Sequence, residues 1–197
     1  NDPYIAATSI TCDAAQNYEG CNVFVDTDGN GYQNGNEPFG AVDASNDYQV
    51  AVPGALVAQF DSLVYLTSQD ATPAAVTRGS CDQVLIARVG GNQMNSLTTL
   101  LAVGISQKPE DAPFFIAASF TYDADEAAVN VFTAPIGDCD TPTWSSECMK
   151  VEVAARQLDV LITSAAAMRN PSAFRARGDA EDQLYDQIYA MIESGGP

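Results

Sequence analysis

The residues best arranged for chemistry form one run of oxygen-bearing side chains, Asp26-Thr27-Asp28-Gly29-Asn30-Gly31-Tyr32-Gln33-Asn34-Gly35-Asn36-Glu37. The spacing fits a twelve-residue calcium loop, with oxygen ligands at the first, third, fifth, seventh, ninth and twelfth positions and glycine at the sixth for the turn. Asp26, Asp28 and Asn30 offer side-chain oxygens, and Tyr32 offers its backbone carbonyl. Asn34 reaches the ion directly or through water, and Glu37 supplies two oxygens. Carboxylates and amides suit calcium, which takes six to eight hard oxygens in a flexible cage, and suit a thiol-seeking metal badly. The alternatives are an uncoordinated Asn/Gly turn and a regulatory switch. The flanks argue against a paired helix-loop-helix sensor. Val23-Phe24-Val25 reads as a strand, and Pro38 follows Glu37 at once, which discourages an exit helix. The expected site is therefore a strand-loop clamp that locks two strands.

Composition removes several other chemistries. The 197 residues carry 26 acidic and 8 basic side chains and no histidine, for a formal charge of −18. That charge repels phosphate backbones and anionic lipid, so neither nucleic acid nor a membrane surface is an expected partner. Without histidine there is no Ser-His-Asp or Cys-His catalysis and no histidine-held zinc or haem. Of the 26 acids 18 are Asp, a residue of turns, caps and calcium loops rather than helix interiors. The charge concentrates early, net −15 over residues 1–150 and −3 over 151–197. At 46% hydrophobic the chain can bury a core. No stretch approaches the roughly 20 apolar residues that span a bilayer.

Five cysteines stand at 12, 21, 81, 139 and 148, with no C-x-x-C pair. The close pairs Cys12/Cys21 and Cys139/Cys148 suggest two local disulfides in an oxidising compartment, with Cys81 left over as a buried free thiol or an intermolecular link. Fifteen pairings remain open. The start, Asn1-Asp2-Pro3, reads as processed or excised from a longer chain, and Ser194-Gly195-Gly196-Pro197 as a helix stop followed by a linker.

Two halves must position these residues. Between 22 and about 90, short β-like runs alternate with turns: 22–25, 47–52, 62–67 and 83–88 give four expected strands. After Gly90-Gly91 the pattern turns helical. Ser96 is the expected cap of a helix through Val103, and Asp111 opens a short run through Phe114 and Phe115. Asp123 and Glu126 have capping-box spacing. Two longer helices follow, about 149–168 and 179–193. The first carries Val151, Ala154, Ala155, Leu158, Leu161, Ile162, Ala165 and Met168 on one face; the second carries Leu184, Ile188, Met191 and Ile192. Tyr185 and Tyr189 are expected to pack half-buried. The Asn170-Pro171 step breaks the chain between the two.

Val23-Phe24-Val25-Asp26-x-x-Gly29-Asn30-Gly31, Asn36-Glu37-Pro38 and Val42-Asp43-Ala44-Ser45-Asn46-Asp47-Tyr48-Gln49-Val50 together resemble modules of secreted bacterial adhesins and large calcium-dependent surface proteins. Those modules are small immunoglobulin-like sandwiches similar to surface B-repeats and carboxypeptidase regulatory-like domains. Longer versions carry a helical extension that opens as Ser96-Leu97-Thr98-Thr99-Leu100-Leu101-Ala102 does and closes on an alanine-rich helix like that from Ala154. The resemblance implies calcium-stabilised, non-catalytic surface architecture.

The expectation is thus an α+β chain: a small antiparallel β-sandwich with a strand-loop calcium site over residues 1–92, then a helical subdomain over 93–197. Its expected role is that of an extracellular, cell-surface structural or adhesive module, part of a larger surface or filament assembly. Its partners would be proteins or glycans at a cell surface, copies of itself among them. The alternative is a secreted carrier that holds a small apolar ligand or pigment in the helical half, where the run Phe114-Phe115-Ile116-Ala117-Ala118-Ser119-Phe120 either packs the core or lines a pocket. A hydrolase reading rests only on Asp138 and Asp140 beside Trp144, where a carboxylate pair would need a sugar cleft with aromatic platforms. Lys108 and Lys150 lack an S-x-x-K context, and Gly90-Gly91-Asn92 is too short for a phosphate loop.

Overall fold

Alternation decides the β half, and the run Asp47–Val52 shows how. Tyr48, Val50 and Val52 are buried while Asp47, Gln49 and Ala51 face out, so the strand presents one apolar and one solvated face. The computed structural model describes residues 4–10, 18–27, 33, 37–53, 63–67, 85–88, 93–108, 110–122, 146–169 and 174–195. The strands in order are β1 (Tyr4–Ile10), β2 (Asn22–Val25), β3 (Phe39–Ala41), β4 (Asp47–Val52), β5 (Leu63–Thr67), β6 (Leu85–Arg88) and β7 (Gln93–Met94). The helices are α1 (Ser96–Gln107), α2 (Ala112–Phe120), α3 (Ser146–Arg169) and α4 (Phe174–Glu193). The chain is α+β.

Two sheets form, in the orders β4-β1-β7 and β3-β2-β5-β6. The second is antiparallel throughout, with Phe24 opposite both Phe39 and Tyr65. The first departs from the all-antiparallel expectation. β1 runs antiparallel to β4 but parallel to β7, with Ser9 opposite Gln93 and Ile10 opposite Met94. Parallel partners need a long crossover, and here the rest of the β half separates the two strands. One apolar cluster draws Val23 and Val25 from β2, Tyr48, Val50 and Val52 from β4, Leu85 and Ala87 from β6, and Met94 from β7. The sheets approach closely at Gly40, where an added Cβ would stand 2.1 Å from the Gln49 carbonyl oxygen.

The turn into β4 is built from its own polar side chains. Asp43 Oδ1 accepts from the backbone N–H groups of Ser45 at 2.8 Å and Asp47 at 3.0 Å. Asn46 takes the left-handed conformation at φ 63°, where Asn is among the few tolerated side chains. Its Oδ1 also accepts from the Tyr18 N–H at 2.9 Å, pinning the turn to the neighbouring segment.

Two residues, Asn95 and Ser96, separate the two cores. Met94 belongs to the sheet cluster, and Leu97 to a second cluster with Leu100, Ile116, Val151, Leu158, Ile162, Tyr185 and Tyr189. Between them stands Asn95, which caps α1 in place of the expected Ser96. Its Oδ1 accepts from Leu97 N–H at 2.9 Å and Thr98 N–H at 3.0 Å, and Thr98 Oγ1 accepts from Asn95 N–H at 2.9 Å. Ser96 instead donates from its hydroxyl to Asp159 of α3 at 3.1 Å, both side chains being buried.

The first turn of α1 also closes a sheet edge. β6 is the outer strand of its sheet, and Ile86 turns its backbone groups away from β5. Ile86 N–H donates to Thr99 Oγ1 at 2.9 Å, and Thr98 Oγ1 donates to Ile86 C=O at 2.8 Å. Two hydroxyls therefore do for this edge what a further strand would otherwise do. Gly104 lets α1 seat against its neighbours, since a Cβ there would lie 2.7 Å from the Tyr189 ring and 2.9 Å from Ala112 Cβ.

The two long helices run 146–169 and 174–193, with buried residues where the periodicity places Val151, Ala154, Ala155, Leu158 and Ile162. Two details differ. Tyr185 and Tyr189 are fully buried rather than half-buried, so the inner line of α4 is aromatic and Met191 is left 56% exposed. Leu161, expected on the buried face of α3, is 54% exposed. Asp123, Glu126, Gly90-Gly91-Asn92, Asp138, Asp140 and Trp144 lie outside the described residues.

Candidate functional site

The oxygen-rich loop hangs from the β2–β3 pair. Val25 N–H donates to Pro38 C=O at 2.9 Å, so the ladder continues one step beyond the pairing of Phe24 with Phe39. Asp26 and Glu37, the first and last of the six expected ligands, come next on the two sides. Both are buried, Asp26 at 7% and Glu37 at 4% exposure. Alternation explains the placement: Val23 and Val25 point to the sheet core, and the chain then leaves the sheet at Asp26.

Glu37 reaches back across the mouth of the loop. Its Oε1 accepts from Thr27 N–H at 2.7 Å and lies 3.3 Å from the Thr27 hydroxyl. Alongside, Asn22 Nδ2 donates to Gln33 Oε1 at 3.5 Å, tying the loop to the start of β2. The structure thus buries Asp26 and Glu37 at the two ends of the loop, with Glu37 bonded to the residue that follows Asp26. Asp28, Asn30, Tyr32 and Asn34 lie outside the described residues, and among the described residues no three acidic or cysteine side chains gather as a metal cage. Thr27 was invisible to ligand spacing because it serves the site through its backbone N–H. Cys21, just before β2, is buried and disulfide-bonded; Cys12, Cys81 and Cys139 lie outside the described residues.

A second concavity lies in the helical half, where α2, α3 and α4 leave a cavity of about 450 Å³. Ser119 and Phe120 line it from α2, Leu161, Ile162 and Ala165 from α3, and Leu184, Gln187, Ile188, Met191 and Ile192 from α4. The aromatic run of α2 therefore divides its duties: Ile116 and Ala117 are core, Phe114 is 52% exposed, and Phe120 faces the cavity. Among the described residues no helix is long and apolar enough to cross a membrane.

Neither the protein-family models, nor the curated proteins, nor the solved structures contain a match to this chain.

Proposed function

We propose that this chain is a calcium-stabilised, non-catalytic module of an extracellular surface or filament protein. In this reading the two sheets face each other across their shared apolar cluster as a small immunoglobulin-like sandwich. The observation that carries it is the burial of Asp26 and Glu37 at the two ends of a loop whose intervening residues have calcium-ligand spacing, with Glu37 reaching across to the Thr27 N–H. Buried carboxylates at the two ends of one loop repel each other unless a cation lies between them. A divalent cation in the loop converts that repulsion into a bond between β2 and β3, with Asp26, Asp28, Asn30, Tyr32, Asn34 and Glu37 as its oxygen ligands. The ion's work is structural: it fixes the hairpin end of the sheet and whatever partner surface that hairpin presents. Proteins or glycans at a cell surface, or further copies of the chain, are the partners that suit such a module.

Binding to the folded state alone stabilises by RT ln(1 + [Ca]/Kd), about 2.7 kcal/mol at a hundredfold excess over Kd. For a chain of this size that is a rise in Tm of about 5–10 °C. Metal-stripped protein melted in EGTA, millimolar magnesium or millimolar calcium should show the rise with calcium selectively. Asp26→Ala and Glu37→Ala should abolish it, and Asp138→Ala should leave it intact. Equal calcium responses in all three variants would place the ion elsewhere, and no response in the wild type would reduce the loop to a turn.

A further inference from the structure

We infer that the cavity between α2, α3 and α4 is a binding site for an uncharged apolar molecule, such as an isoprenoid or fatty alcohol. The inference stands apart from the calcium reading and rests on the size, lining and rim of the cavity. Its volume of about 450 Å³ falls within the range of about 300–1,000 Å³ that small-molecule sites occupy. The walls are apolar, chiefly Phe120, Ile162, Leu184 and Ile192, and among the described residues none of the lining side chains carries a charge.

The rim is the second observation. Leu161 and Met191 border the cavity from different helices, and each exposes more than half of its surface. Exposed apolar side chains scattered singly need no explanation, but two that converge on one apolar concavity leave a surface that a ligand would cover. The polar lining consists of the neutral Ser119 and Gln187. Neither can neutralise an anion. A chain of net charge −18 adds an unfavourable field for any carboxylate, so an alcohol or ketone is the favoured head group and a fatty acid the disfavoured one.

Displacement of the neutral dye Nile red tests this, with farnesol and farnesoate as two competitors that share a skeleton and differ in charge. Farnesol should displace the dye with at least tenfold greater apparent affinity than farnesoate. Leu161→Glu puts a charge at the exposed rim without touching the core, and Ala165→Phe fills the cavity from the same helix. Each should weaken farnesol at least tenfold, and the unchanged melting of Leu161→Glu serves as the check on folding. Failure of farnesol to displace the dye, equal or tighter binding of farnesoate, or undiminished binding in both variants would overturn the proposal. Because EGTA and calcium do not enter the assay, its failure would leave the proposed metal site untouched.

Discussion

At the scale of single residues, the hydroxyls of Thr98 and Thr99 matter more than their modest size suggests. Thr99 Oγ1 accepts from the buried Ile86 N–H and donates to Asn95 C=O at 2.9 Å, while the Thr98 hydroxyl lies 2.8 Å from both Ile86 C=O and Asn95 C=O. Thr99→Val keeps the shape and removes both bonds, leaving a buried backbone donor unmatched. The expected cost is about 1–3 kcal/mol in denaturant unfolding. Ser106→Ala, which removes an exposed hydroxyl bonded to Val103 C=O, should unfold like the wild type. This role was not legible in the sequence. Threonines at helix positions signal nothing, and their partner lies 12 and 13 residues upstream in a strand edge. Asp159 was hidden for the same reason, since its Ser96 partner is 63 residues away. Asp26 and Glu37 were singled out by their spacing within one loop, and the structure buries both.

At the scale of elements, pattern served best where one element settles its own structure. β4 was readable to the residue, because Asp47–Val52 alternates without a break and an Asp-rich turn precedes it. β1, β3 and β7 were missed: β1 exists by pairing with β4 and β7, β3 by pairing with β2, and Phe39–Ala41 and Gln93–Met94 are too short to show a period. The long helices were placed within a few residues by their apolar recurrence, and among the described residues their inward faces differ at Leu161, which is exposed, and at Tyr185 and Tyr189, which are fully buried. Helix ends carry their own test. α2 closes on Thr121, a β-branched residue held at φ 59°, with the Tyr122 N–H bonded to Ala117 C=O at 3.1 Å. Glycine is at ease in that conformation and threonine is not. Thr121→Gly should therefore stabilise the chain by about 0.5–1 kcal/mol in denaturant unfolding, where most glycine substitutions do the reverse.

At the scale of the whole molecule, charge and topology set the remaining behaviour. A net charge of −18 over 197 residues destabilises the compact state by self-repulsion. Sodium chloride raised to about 0.1 M, where the screening length is about 10 Å, should lift Tm in the wild type and in Glu37→Ala alike. A calcium response measured at that ionic strength then reports the loop, and salt acting only on the wild type would mean that screening and site are not separable. The surface ion pairs between Lys108 and Glu193 and between Arg156 and Glu152 are small terms beside this. The topology also carries a timetable. β1 is the middle strand of its sheet, so as the chain is made it finds one neighbour at 47–52 and the other only at 93–94. The sheet cannot be completed until Met94 has emerged, and the next residue, Asn95, starts the helix that shields the other sheet's edge. Until then β1 waits without one of its neighbours, and the interval is the time needed to deliver roughly half of the chain.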